Sequence, residues 1–279
     1  MPFGGWRWSG KGRLLSVVME AHESSILSMD VLSFSKGTLI SSGSSDGVVS
    51  LWKIKDFSRC HNKIIILFPL IFFHDNRVDN DGSSLPIEHI FSIELPEGVR
   101  SISWQRDSND GFNQYQAVLG TLGNNIQLLT YSEGLEKIPS VSLHLLQSGH
   151  VGKVKCVAVH PVFSSIFVSV SADGSIRLWD GSNRNEKSQL SNCLFNDLVS
   201  LGKKEKKQTR VISGASFSAD GRVLAIGDES GYVSLLEGPW TDYADESKNF
   251  LSAHKVDDLL RWKLLFDCNI AHNLQHQGE

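Results

Sequence analysis

The residues most suggestive of chemistry come in two matched sets. One holds His22, Asp46 and Trp52, the other His150, Asp173 and Trp179, and each has serines just before its aspartate. Histidine, serine and aspartate are the parts of a nucleophilic hydrolase, in which an imidazole oriented by a carboxylate activates a hydroxyl. The spacing argues for another use. Histidine precedes aspartate by 24 residues in one set and 23 in the other, and tryptophan follows aspartate by 6 in both. Two independent copies of one spacing mark a repeated unit. No Walker loop or G-x-G-x-x-G accompanies them.

Other candidates are weaker. Lys203, Lys204, Lys206 and Lys207, followed by Arg210, make the one basic cluster. It reads as a solvated loop, an anionic-partner contact or a nuclear-import signal. His272 and His276 are spaced as zinc ligands on a helix can be, but Asn273 stands where a catalytic Glu is needed and no third ligand is apparent. Asn76–Ser84 lacks the register of a calcium loop. No metal and no cofactor are therefore expected. Trp104, Trp240 and Trp262 suit either a core or the rim of a binding face.

The elements that position the two sets read as strands. Four stretches, about His22–Lys55, Val99–Ser132, Gly149–Asp180 and Thr209–Glu237, hold short runs with apolar residues at every second position. That is the period of a half-buried strand. Asp46-Gly47, Gly123-Asn124, Asp173-Gly174, Asp220-Gly221 and Ser230-Gly231 separate the runs, as tight hairpins require. No helical period spans any stretch.

Composition bounds the rest. The chain has 279 residues, 41% hydrophobic and 21% charged, with a net charge of −4. It lacks the basic footprint of a nucleic-acid binder. Cys60, Cys156, Cys193 and Cys268 form no C-x-x-C pair and read as free thiols in a reducing compartment. The first residues, MPFGGWRWSGKGRLL, lack the apolar core of a secretory signal, so an intracellular protein is expected. Ile64–Phe73 is a run of ten residues, apolar around Pro69. A membrane span needs about 20, which leaves a buried strand, a retained intron or a membrane-interface segment.

The wording of the stretches resembles WD repeats. Gly149-His150, Asp173 and Trp179-Asp180 follow the GH…WD signature, and Ala21-His22, Asp46 and Trp52-Lys53 repeat the layout. The resemblance implies an all-β, WD-repeat β-propeller, incomplete, with about four four-stranded blades plus strand fragments at each end. It also implies a hydrogen-bonded chain in each complete repeat: His22–Ser44–Asp46–Trp52 and His150–Ser171–Asp173–Trp179. Ser42 and Ser169 lie two residues earlier in the same strands. The repeats from Val99 and Thr209 are degenerate, with Thr130-Tyr131 and Leu235-Leu236 in place of Trp-Asp, and are expected to rely on packing.

Repeat order narrows the likeness. Ala21–Ile54, the pair Gly98–Trp104 and Val118–Ile126, then Gly149–Asp180 and Ser218–Gly231 resemble the echinoderm microtubule-associated protein-like family. That family carries more repeats, in two propellers. The resemblance covers about Trp8–His254 and implies a non-catalytic scaffold, cytoplasmic and cytoskeletal or ciliary. Its partners would be proteins, tubulin or microtubules among them, with no nucleic acid or membrane. The Lys203–Lys207 loop would then meet acidic tubulin tails. The alternative is a general WD-repeat adaptor in signalling or ubiquitin-ligase type complexes.

The expected organisation has residues 1–20 holding the outer strand of a preceding partial blade, at Arg13–Glu20. Blades follow at about 21–97, 98–148, 149–208 and 209–254, with an insert near 56–86 and an atypical tail at 255–279. Phe250–His254 is read as the last outer strand. A four-blade arc exposes apolar faces and unpaired edges. A truncated gene model, further blades, dimerisation or a partner is the expected remedy.

Overall fold

The alternation of apolar residues, broken by glycine turns, does fold as strands. The structure is a computed structural model that describes residues 21–34, 37–54, 87–105, 114–133, 139–146, 150–163, 165–180, 192–195, 211–238 and 263–269. These residues form four antiparallel sheets of four strands each. Sheet one is β1 (Ile26–Phe34), β2 (Gly37–Ser44), β3 (Val48–Ile54) and β4 (Ile87–Glu94). Sheet two is β5 (Val99–Trp104), β6 (Gln114–Thr121), β7 (Ile126–Glu133) and β8 (Pro139–Leu146). Sheet three is β9 (Val154–Val159), β10 (Ile166–Ser171), β11 (Ile176–Asp180) and β12 (Asn192–Phe195). Sheet four is β13 (Ile212–Phe217), β14 (Val223–Asp228), β15 (Tyr232–Glu237) and β16 (Lys263–Asn269).

Each sheet is a simple meander, strand beside next strand. The turns follow the sequence: Gly47, Gly174, Gly221 and Gly231 all adopt positive φ, the conformation that favours glycine. Gly123 is not among the positive-φ glycines, so the Gly123-Asn124 turn is built differently.

The sheets stack in chain order through three apolar layers. Leu39, Val49 and Leu51 of sheet one meet Val99, Ile102, Trp104 and Leu119 of sheet two. Val118, Ile126 and Leu128 of sheet two meet Val154, Val157, Phe167 and Trp179 of sheet three. Val168, Val170 and Leu178 of sheet three meet Ile212, Leu224 and Leu236 of sheet four. Each layer removes both facing surfaces from water, the main favourable term in such a stack. Trp104 thus belongs to the core, with its indole N–H donating to Ser41 of the neighbouring sheet at 3.0 Å.

One boundary differs from expectation. The outer strand of sheet four is β16, inside the segment read as an atypical tail, so this sheet runs past 254 to Asn269. The expected strands at Arg13–Glu20 and Phe250–His254 lie outside the described residues, as do Ile64–Phe73, the insert near 56–86, Trp240, Trp262, His272 and His276.

Candidate functional site

The second histidine set sits between sheets two and three and has a defined polarity. Trp179 Nε1–H donates to Ser169 Oγ at 2.8 Å, and Ser169 Oγ lies 2.7 Å from His150 Nε2. On the other side of the ring, His150 Nδ1 lies 2.8 Å from Ser175 Oγ, whose hydroxyl donates to Asp173 Oδ1 at 2.5 Å. An indole N–H only donates and a carboxylate only accepts. The ends therefore fix the middle. Ser175 gives its proton to Asp173 and accepts from Nδ1–H, which leaves Nε2 to accept the Ser169 hydroxyl.

Electrostatics agree. Burial, then the nearby Arg177, lowers the His150 pKa to about 4, so the ring is neutral near pH 7. Burial alone would raise the Asp173 carboxyl, but hydrogen bonds from the Ser175 hydroxyl and the amides of Ser175, Val151 and Gly152 outweigh it and hold the group well below the usual range. Ser169 is 0% exposed. A hydroxyl that no substrate reaches, already donating to the imidazole, is a structural element rather than a nucleophile.

The first set shares half of this arrangement. His22 Nε2 lies 2.7 Å from Ser42 Oγ, and Trp52 Nε1–H donates to Ser42 at 3.3 Å. Ser44 instead donates to Asp46. In both sets the serine joining histidine to tryptophan is thus the earlier one, Ser42 or Ser169, rather than Ser44 or Ser171. The register explains it. Trp52 pairs with Ile40 and Trp179 with Phe167, so the serine two residues on is the diagonal neighbour that an indole reaches. Ser44 and Ser171 are one diagonal further, at the turn. Ser171 Oγ accepts the Asp173 amide there.

The degenerate repeats have polar chemistry of their own, contrary to the packing-only expectation. In sheet two Glu97, which no repeat motif marks, accepts from Thr121 Oγ1 at 2.5 Å and Asn125 Nδ2 at 3.2 Å. In sheet four Asp228 Oδ1 accepts the amides of Ser230 and Tyr232, both at 2.9 Å. His160 ties sheet three to sheet four. Its Nδ1 accepts the amides of Val162 and Phe163, so Nε2–H donates to the Gly221 carbonyl at 3.1 Å. Burial lowers its pKa to about 4.

The first strands of all four sheets line one cavity of about 450 Å³, which carries Arg100, Lys155 and Cys156 beside serines. Lys155 pairs with Glu229 at 3.0 Å. Cys156 is a free thiol pushed up in pKa by burial. Among the described residues no group of three His, Cys, Asp or Glu could hold a metal ion. Lys203, Lys204, Lys206, Lys207 and Arg210 lie outside the described residues.

Comparison with known proteins fits this geometry. The family model for the WD domain, G-beta repeat, matches residues 12–53 and 141–180. The chain carries WD repeats. The second match runs from β8 through β11, so one sequence repeat supplies the outer strand of one blade and three strands of the next. A guanine nucleotide-binding protein subunit beta-like protein of Encephalitozoon cuniculi is 31% identical over 96 residues, 32% of this chain and 28% of that protein. The protein transport protein SEC13-2 of Candida glabrata is 24% identical over 253 residues, 85% of this chain and 71% of that protein. The solved β-propeller domain of Cps50 (Swd1) from Myceliophteria thermophila superposes with a TM-score of 0.53 at 12% identity, covering 87% of this chain and 58% of that one. The first of these relatives is thus spanned over well under half its length. The fold is a WD-repeat β-propeller, open on the described residues. This architecture generally serves as a non-enzymatic platform for protein partners.

Proposed function

We propose that this WD-repeat chain is a non-catalytic scaffold that associates with microtubules in the cytoplasm, at the cytoskeleton or cilium. The observation that carries the non-catalytic half is the sealed His150–Ser169 pair: the groups that look like a hydrolase are spent on one another within blade 3. Support for the microtubule half comes from the order of complete and degenerate repeats, which resembles the echinoderm microtubule-associated protein-like family, and from the Lys203–Lys207 cluster with Arg210. Tubulin tails are acidic, and clustered lysines attract such chains over about one Debye length, roughly 8 Å in physiological salt.

Co-sedimentation with stabilised microtubules tests this. The wild-type chain is expected in the pellet, less so as salt rises. Lys203→Glu, Lys204→Glu, Lys206→Glu and Lys207→Glu together are expected to leave most of it in the supernatant. No pelleting above background favours the second reading, an adaptor in signalling or ubiquitin-ligase type complexes.

A further inference from the structure

The four sheets, blades 1 to 4 in chain order, share one irregularity: each inner strand carries a single extra residue against the strand beside it. In blade 1 Ile26 pairs with Ser44 and Ser28 with the adjacent Gly43, so Leu27 is left over. In blade 2 Val99 pairs with Thr121 and Ser101 with Gly120, which leaves Arg100. Blade 3 leaves Lys155, between Val154 and Cys156, and blade 4 leaves Ser213, between Ile212 and Gly214. A bulge breaks the alternation of its strand and re-aims the extra side chain. All four extra residues, Leu27, Arg100, Lys155 and Ser213, line the same cavity of about 450 Å³.

The bulges set the charge of that cavity. Among the described residues its lining holds no carboxylate, and its charged members are Arg100 and Lys155. Both stand on the two middle blades, with described strands packed on either side. Arg100 is exposed and, among the described residues, pairs with no carboxylate. Lys155 reaches the exposed Glu229 at 3.0 Å, the kind of surface pair that exchanges readily. Burial raises the Cys156 pKa, so this thiol adds no negative charge near pH 7. The chain as a whole carries −4, and the cavity reverses that sign locally.

A neutral group in the same lining is also uncommitted. Ser28 holds in blade 1 the place that Ser101 holds in blade 2, the first pair after the bulge. Ser101 Oγ accepts the Val157 amide of the next blade at 3.1 Å. Ser28 is 6% exposed, and its hydroxyl has no hydrogen-bond partner among the described residues. A buried hydroxyl left unpaired beside two cations is a place where an anion is expected. The rest of the wall is apolar: Ile26, Leu27, Met29 and Ile102. The volume exceeds what a bare oxyanion fills and lies within the range of small-molecule sites, about 300–1,000 Å³.

We propose that this ring of bulge residues binds a phosphomonoester, with Arg100 and Lys155 on the phosphate oxygens and the apolar wall against the carbon body. The charge count selects phosphate over carboxylate. A phosphomonoester carries about −1.5 to −2 at pH 7, enough to engage Arg100 and to draw Lys155 from Glu229, and the guanidinium fork takes two of its oxygens at once. The ester is either a free small molecule or the phosphorylated side chain of a protein partner. The inference does not depend on microtubule binding, which co-sedimentation reads separately.

Isothermal titration of the 279-residue chain with O-phosphoserine and with a serine-phosphorylated peptide tests it. Both are expected to bind, and serine and the unphosphorylated peptide are not. Arg100→Ala and Lys155→Ala are each expected to weaken binding about tenfold or more with unchanged circular dichroism. Arg100→Lys keeps the charge, loses the fork and is expected to fall between. Lys153→Ala removes the same charge from an exposed residue outside the lining and is expected to leave binding unchanged. A peptide that binds more tightly than O-phosphoserine places the ester on a protein partner; one that binds no more tightly places it on a free small molecule. No binding of either probe overturns the inference, the result expected if residues of this chain fill the cavity. So does a loss from Lys153→Ala equal to that from Arg100→Ala, or a peptide with glutamate in place of phosphoserine that binds equally well.

Discussion

Blades 1 and 3 carry the same four-letter chemistry and use it differently, and one residue accounts for much of the difference. In blade 3 the residue after Asp173-Gly174 is Ser175, whose hydroxyl bridges His150 Nδ1 to Asp173. In blade 1 the residue after Asp46-Gly47 is Val48. Asp46 is left to Ser44 and the Val48 amide, and among the described residues His22 Nδ1 is buried without a partner. Blade 3 also has a blade in front of it and blade 1, on the described residues, does not. A repeat signature is thus a list of parts. Whether the parts form a continuous network depends on a neighbouring position that the signature does not name.

The largest expected effect separates the two blades by pH. His150 and His160, both at blade 3, have pKa values lowered by burial from 6.5 to about 4. A depressed folded-state pKa means the unfolded chain takes up protons first. The stability these rings contribute is complete above pH 6.5 and is lost as pH falls from there through about 4. Going from pH 7 to pH 5 is expected to cost about 2 kcal/mol per histidine. Hydrogen exchange is expected to lose protection in Val154–Asp180 before Ile26–Ile54. Equal loss in both blades would mean that His22, half-buried and lowered in the same direction, is as tightly held as His150.

A second contrast concerns the bridging serines. Ser169→Ala strands two buried groups, the Trp179 indole N–H and His150 Nε2, and is expected to destabilise by about 2–4 kcal/mol. Ser42 is itself buried, but the rings it joins, His22 and Trp52, are half-buried, so water can take over and Ser42→Ala is expected to cost under about 1 kcal/mol. Denaturant melts of the two variants measure the gap.

Much of this was readable in the chain. The alternation of Val154, Cys156 and Ala158, and the Asp-Gly turns, gave β9 and the hairpins because period and turn chemistry are local. What was not readable depended on partners distant in sequence. Ser42 and Ser44 share a face of β2, and only the register of Trp52 against Ile40 chooses between them. Glu97 belongs to no repeat motif, and its role needs Thr121 and Asn125 folded onto it. β16 escaped notice because an outer strand buries little. Lys263, Leu265 and Phe266 are all exposed, so its sequence shows no clean alternation. His160 follows β9 with no motif around it, and its meaning comes from the Gly221 carbonyl of the next blade.

The smallest expected effect tests whether Val48 and Ser175 alone decide the continuity of the network. Val48→Ser in blade 1 places a hydroxyl where Ser175 stands in blade 3, between a buried, unpartnered His22 Nδ1 and the Asp46 carboxylate. Completing the bridge gains one hydrogen bond to a charged acceptor and loses a β-branched strand residue. The two nearly offset, for a net gain of up to about 1 kcal/mol. The reverse change, Ser175→Val, removes the bridging hydroxyl, leaves His150 Nδ1 the longer 3.6 Å contact with Asp173 Oδ2, and is expected to cost about 1–3 kcal/mol. The decisive readout is the ring proton. The Val48→Ser chain should show His22 shift toward the Nδ1–H tautomer by nitrogen NMR, and Ser175→Val should release His150 from it. A His22 tautomer unmoved by Val48→Ser would show that the open face of blade 1, rather than residue 48, keeps the network broken.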